Sequence, residues 1–172
     1  FDALILHTKW GPRQVLGTSD CLVGLVDGIN AHGLALSLTF GGRRAVGTGF
    51  GVPIVLRYIL ETCSSTAEAT AVLARIPTHM AYNVTVLDAE GARVTAHLSP
   101  DRPALITRAP LATNHQPGGE IHDHIHQSAT IERENFLMRR LTLHQESQEK
   151  FTAAFLRPPL FSLAYERDRG TL

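Results

Sequence analysis

The sequence predicts an α+β fold. Short runs with the two-residue period of a strand recur, joined by turn residues, and two tandem helical segments, 53–62 and 66–75, interrupt them. Strand and helix do not alternate singly. Without a βαβ rhythm, a doubly wound parallel sheet is not expected.

Residues 1–8 open the chain as a strand, with Ala3, Leu4, Ile5 and Leu6 apolar. Trp10-Gly11-Pro12-Arg13 makes a turn, because Pro has no N–H to give a ladder and Gly readily reverses the chain. A strand resumes over 14–17, and Gly17-Thr18-Ser19-Asp20 reads as loop. Residues 21–26 form a second apolar run. Residues 27–40, DGINAHGLALSLTF, then hold a turn half and a strand half. Asp27-Gly28 is a tight-turn dipeptide, Asn30 tolerates a left-handed backbone, and Gly33 is a second break. Leu34, Leu36 and Leu38 alternate with Ala35, Ser37 and Thr39, the period of a strand packed on one face. Two apolar runs joined by a Gly/Asn turn read as a β-hairpin across 21–40. Residues 41–52 contain five glycines and read as a mobile or substrate-facing loop.

Pro53 suits a first helical turn. Ile54, Val55, Leu56, Tyr58, Ile59 and Leu60 make the 53–62 helix apolar nearly all round, hence largely buried. Ser65-x-x-Glu68 is a capping box. Ala69, Val72, Leu73 and Ile76 follow at helical spacing, and Pro77 closes the segment. Residues 82–87 and 93–98 read as paired strands around an Asp88-Ala89-Glu90-Gly91 turn. Residues 104–108 and 111–114 read as short strands and 116–127 as a polar, His-rich loop. Helices follow over 129–144 and 147–156, the second capped by Ser147 and ended by Pro158-Pro159. Residues 160–165 suit a strand. The chain is expected to be a single domain, 1–172, incomplete at both ends, since strand-like sequence reaches both.

At 172 residues the chain is long enough for a real core. Sixteen basic and sixteen acidic residues cancel, which argues against a broad nucleic-acid-binding surface. No apolar run reaches the roughly 18 residues of a membrane helix. Two cysteines, Cys21 and Cys63, make no disulfide framework, so a reducing cytoplasm is expected.

The segment DGIN–HGLALSL resembles the DG-N-x-x-GL segment of two related groups of N-terminal-nucleophile hydrolases. One comprises choloylglycine hydrolase and penicillin V acylase. The other is the acyl-coenzyme A:6-aminopenicillanate acyltransferase-like group, the C45-type peptidases, which this sequence resembles more. Further matching features follow in the same order: Pro53-Ile54 with Arg57-Tyr58, Ser65-Thr66-Ala67-Glu68-Ala69, Tyr82-Asn83 with Asp88 and Gly91, and Thr113-Asn114-His115. The likeness runs from about 17 to 141.

This resemblance implies an αββα sandwich, two stacked antiparallel sheets between helix layers. It implies a parent enzyme that cleaves, or transfers the acyl group of, a linear non-peptide amide through a Cys acyl-enzyme, without a cofactor. Its partners would be a small-molecule amide or acyl donor and the rest of the parent chain. A homo-oligomer is compatible with it, and neither nucleic acid nor membrane is expected. Asn114 would stabilise the oxyanion, since a side-chain amide aimed at developing negative charge contributes about 3 kcal/mol. The bland alternative is an Asn closing a strand. Arg133 would place a guanidinium near the centre, against a solvated pairing with Glu132 or Glu134. Thr39 falls near a second oxyanion-hole position, where relatives often carry Asn-Phe. Phe40 and Phe50 would bind substrate, with the 41–51 loop shaping an acyl pocket.

Asn83 alternates with Val84 and Val86 and is expected to face solvent. Cys21 and Cys63 read as small core residues. Phe1 cannot be an N-terminal nucleophile, because that role needs a Cys, Ser or Thr whose own α-amine is the base. The nucleophile is therefore expected outside this chain. Two alternatives stay open: a catalytically inactive fragment or subunit of the same fold, and a metal-binding hydrolase built on His122, His124 and His126.

Overall fold

The computed structural model describes residues 5–118, 128–143 and 146–161. Among them, seven strands form one antiparallel sheet in chain order: β1 (Ile5–Thr8), β2 (Val15–Asp20), β3 (Gly24–Asn30), β4 (Ala35–Phe40), β5 (Tyr82–Leu87), β6 (Arg93–Ser99) and β7 (Arg102–Thr107). Helices α1 (Val52–Thr62) and α2 (Thr66–Arg75) are inserted between β4 and β5. Helix α3 (Thr130–Leu143), the short α4 (Gln148–Ala153) and a 3-10 turn, Ala154–Leu156, follow the sheet. The class is α+β, as the sequence predicts.

Strand register sorts the side chains onto two faces. Leu36, Val86, Val84, Ala96 and Leu98 fall on the face covered by α1 and α2, and join Leu56, Ile59, Leu60 and Leu73 in a buried core. The opposite face carries Leu16, Ile29, Ala35 and Leu87 in one cross-strand rung. The next rung holds Asp27, Ser37, Thr85, Thr95 and Thr107, and a third holds Thr39, Asn83 and His97. A sheet with a helix layer on one face is half of an αββα sandwich, and the second face is where a second sheet stacks.

The hairpin of 21–40 forms, but its turn takes only the later part of the expected turn half. Asp27-Gly28 lies inside β3, and the reversal is at Asn30–Leu34, where Gly33 adopts φ +78°. Gly28 faces a helix instead of a turn. A Cβ there would lie 2.7 Å from Leu60 Cδ1, and one on Gly24 would lie 2.4 Å from Pro53 Cβ. These glycines let α1 settle onto β3. Asn30 holds the reversal: its Oδ1 accepts from the N–H of His32 and Leu34 at 3.0 and 3.1 Å. Its Nδ2 donates to the Leu60 and Cys63 carbonyls at 2.9 and 2.8 Å, satisfying the C-terminal end of α1.

Other expectations need correction. The 17–20 stretch is strand, paired with β3 across a register shift at Thr18/Ser19. Residues 111–114 make no strand and are held by side chains. Cys21 is exposed, at φ +52° in the turn before β3, whereas Cys63 is buried as expected. The 41–51 loop is anchored rather than loose. Gly41, Gly47 and Phe50 donate backbone N–H to Ala81, His79 and Pro77. The capping box is half formed: Ser65 Oγ accepts from Glu68 N–H, while the Glu68 carboxylate reaches Ser64 N–H instead of Ser65. Residues 162–165 of the expected last strand lie outside the described residues.

Candidate active site

The site forms where the 109–116 segment and the start of α3 cover the third rung of the sheet. Residues 113–115 have no ladder partner, so their placement comes from side chains. Asn83, on β5, is the main one. It is 1% exposed, which overturns the solvent-facing expectation. Alternation placed it opposite Val84 correctly, but that opposite face is covered here. Its Nδ2 donates to the Thr113 carbonyl at 2.8 Å and the His115 carbonyl at 2.9 Å. Thr39 Oγ donates to the same Thr113 carbonyl at 3.2 Å. Thr113 Oγ1 donates to the Thr130 carbonyl at 3.0 Å, tying the segment to the first residue of α3. His115 closes the group, with Nδ1 3.0 Å from Thr130 Oγ1 and Nε2 3.3 Å from Glu134.

Asn114 and Arg133, predicted separately, meet. Arg133 Nη2 donates to Asn114 Oδ1 at 2.7 Å. A guanidinium can only donate, so the amide oxygen must face it. The Asn114 NH2 then points away from Arg133, with no partner among the described residues. Arg133 is half-buried and burial lowers its pKa; its Nε is buried without a partner among the described residues. Arg133 does not pair with Glu132 or Glu134. It is the amide that it holds.

Thr39 joins this group by its side chain, whose hydrogen is committed to Thr113. Phe40 shares a rung with Tyr82 and Leu98 on the helix face, opposite Thr39. Phe50 is 58% exposed and bridges Thr78, close to the start of α1. The structure thus brings Asn114, Arg133 and Thr39 together, sets Phe40 on the other face of the sheet and leaves Phe50 in the loop before α1. The glycine loop still reaches the site. Gly42, at φ +71°, lies so close that a Cβ would sit 2.5 Å from the Asn114 carbonyl oxygen.

Sequence reading missed Asn83, His97 and Gly42. The signal for Asn83 was a lone amide among Val and Thr on a strand. His97 is buried, and burial pushes its pKa down. Neither cysteine sits in this group. An exposed Cys21 has its pKa raised first by the Asp20 carboxylate beside it. His122, His124 and His126 lie outside the described residues, among which no cluster of three His, Cys, Asp or Glu could hold a metal ion. No described helix is long and apolar enough to cross a membrane.

Comparison with known proteins follows the same direction. The model of the family described as acyl-coenzyme A:6-aminopenicillanic acid acyl-transferase matches residues 4–157. Among solved structures, the chain is similar to penicillin V acylase from Agrobacterium tumefaciens, at 18% identity and a TM-score of 0.53. That match covers 71% of this chain and 41% of the acylase, so the chain spans less than half of its length. It is also similar to the Caenorhabditis elegans ortholog of N-acylethanolamine-hydrolyzing acid amidase, at 13% identity and a TM-score of 0.53, covering 92% of this chain and 74% of that one. At such identities the likeness shows the fold. No curated protein matches.

Proposed function

This chain belongs to the acyl-coenzyme A:6-aminopenicillanic acid acyl-transferase family, and from that premise we propose that it is a large piece of an amidohydrolase or acyltransferase acting on linear, non-peptide amides. The observation that carries the proposal is the Arg133–Asn114 bond at 2.7 Å. It turns the amide so that two N–H hydrogens are presented and no carbonyl oxygen competes with them.

The chemistry would run in two steps. A cysteine thiolate attacks the substrate's amide carbon, and negative charge develops on the carbonyl oxygen. The Asn114 NH2 donates to that oxygen as it becomes an oxyanion, an interaction stronger in the transition state than in the ground state. The amine leaves with a proton, leaving a thioester. Water then completes hydrolysis, or a second amine completes transfer. Arg133 orients the donor and Thr39 supports it through Thr113. Phe40 and Phe50 are proposed to bind substrate, Phe50 from the exposed loop before α1.

We place the nucleophile in the parent chain outside this sequence. Cys63 is buried, and Cys21 has no free α-amine to serve as its base. This polypeptide alone is accordingly proposed to be silent until joined to the segment that carries the nucleophile, in a reducing cytoplasm. In the full-length parent, Asn114→Ala is expected to lower kcat about 10²–10³-fold on its amide substrate. A parent inert across a broad panel of acyl amides, with nothing lost in Asn114→Ala, would end the proposal.

A further inference from the structure

Asn83 touches no position open to a substrate, yet its bonds enclose the residue that does. Its two amide hydrogens go to the carbonyls of Thr113 and His115, at 2.8 and 2.9 Å, one on each side of Asn114. Carbonyls only accept, so the Asn83 NH2 must face them and its Oδ1 must face the other way. There it meets His97 Nδ1 at 2.8 Å. An amide oxygen only accepts, so His97 carries its proton on Nδ1. Its Nε2 lies 3.4 Å from the Thr107 hydroxyl, which also reaches the Thr95 carbonyl at 3.3 Å. A third, longer contact at 3.2 Å runs from the Asn83 NH2 to Thr39 Oγ1, on the same side as the two carbonyls.

We propose that Asn83 is a positioning residue for the oxyanion donor. It fixes the backbone before and after Asn114, and His97 fixes which way round the Asn83 amide sits. The inference rests on the amidohydrolase reading for its catalytic meaning, but the clamp itself is a claim about how Asn114 is held. The 113–115 segment belongs to no strand, so side-chain bonds set the donor's distance to a reacting oxygen, and Asn83 alone holds the carbonyls on both sides of Asn114. Outer groups that orient reacting ones typically contribute 10–100-fold to activity, and donors misplaced by about 1 Å lose comparable factors.

The test uses the full-length natural chain and four proteins: wild type, Asn83→Asp, His97→Leu and His97→Asn. Asn83→Asp keeps the size and the oxygen facing His97 but replaces the donor. His97→Leu removes the Nδ1 donor. His97→Asn keeps an N–H near the Nδ1 position and is the conservative rescue. The first readout is the side-chain amide signal of Asn114 in a nitrogen–proton correlation spectrum, assigned with Asn114→Ser. The second is kcat and KM on an amide substrate.

Asn83→Asp and His97→Leu are expected to shift or broaden the Asn114 signal and lower kcat by tenfold or more, with KM within about twofold. His97→Asn is expected to restore both. An Asn114 signal unchanged in folded Asn83→Asp or His97→Leu overturns the inference, as does an unchanged kcat in an active parent. If Asn83→Asp does not fold, the two His97 variants decide alone. An inert wild-type parent whose Asn114 signal still responds removes the amidohydrolase reading and leaves the clamp standing.

Discussion

At the scale of single residues, the site depends on positions that a catalytic motif does not name. Gly42 is one. An alanine there would adopt φ +71° and push its Cβ against the Asn114 carbonyl oxygen. The backbone cost is about 1–2 kcal/mol. Activity is expected to fall further than stability, because the displaced atom belongs to Asn114, the proposed donor; urea unfolding beside kcat separates the two. His97 supplies a pH dependence. Burial lowers its folded pKa below the unfolded value near 6.5. Below about 6.5 the unfolded chain binds a proton that the folded chain refuses, so stability is expected to fall as the pH drops through that range. His97→Asn should flatten the trend, checked by urea midpoints at pH 7 and pH 5. Asn114, Arg133 and Thr39 were singled out in the sequence through the ordered resemblance rather than through any one motif. Asn83 was not. A period of two sorts residues onto two faces, but says nothing of what covers each.

At the scale of elements, the contact between α1 and β3 organises the molecule. Leu60 is fully buried over Gly28, and Asn30 holds the end of the helix. Gly28→Ala forces a Cβ against both Leu60 and the Leu16 carbonyl, and is expected to destabilise by about 1–3 kcal/mol. Asn30→Ala leaves two helix carbonyls and two hairpin N–H groups short of a partner, at a cost of about 1–3 kcal/mol or more. Chemical denaturation of both variants checks the pair. Helix boundaries were legible because Pro53, Ser65 and Pro77 act locally. Asp27-Gly28 was misread as part of the turn because Gly serves two purposes, reversal and close approach, and which applies at Gly28 depends on Leu60, on a helix far along the chain.

At the scale of the whole molecule, one rung of the sheet's second face stays exposed among the described residues. Leu16, Ile29 and Leu87, neighbours on a single rung, are each nearly half exposed. Apolar side chains set in a row on a sheet face favour association. The isolated chain is expected to sediment as a dimer or larger, and Ile29→Lys to return it to a monomer at the same concentration. The sandwich itself came from resemblance alone, because the stacking of two sheets is a long-range property that no local pattern encodes.

The sheet's order has a kinetic side. Six strand pairings join neighbours in sequence, and five of them close over short connections. The β4–β5 pairing must wait while both helices are spanned. Loop-closure entropy rises with the span, so this step is expected to limit the folding rate. Destabilising Leu38 or Val84 should then slow refolding, while equal damage at the β1–β2 pairing should chiefly hasten unfolding, as a pair of chevron plots would show.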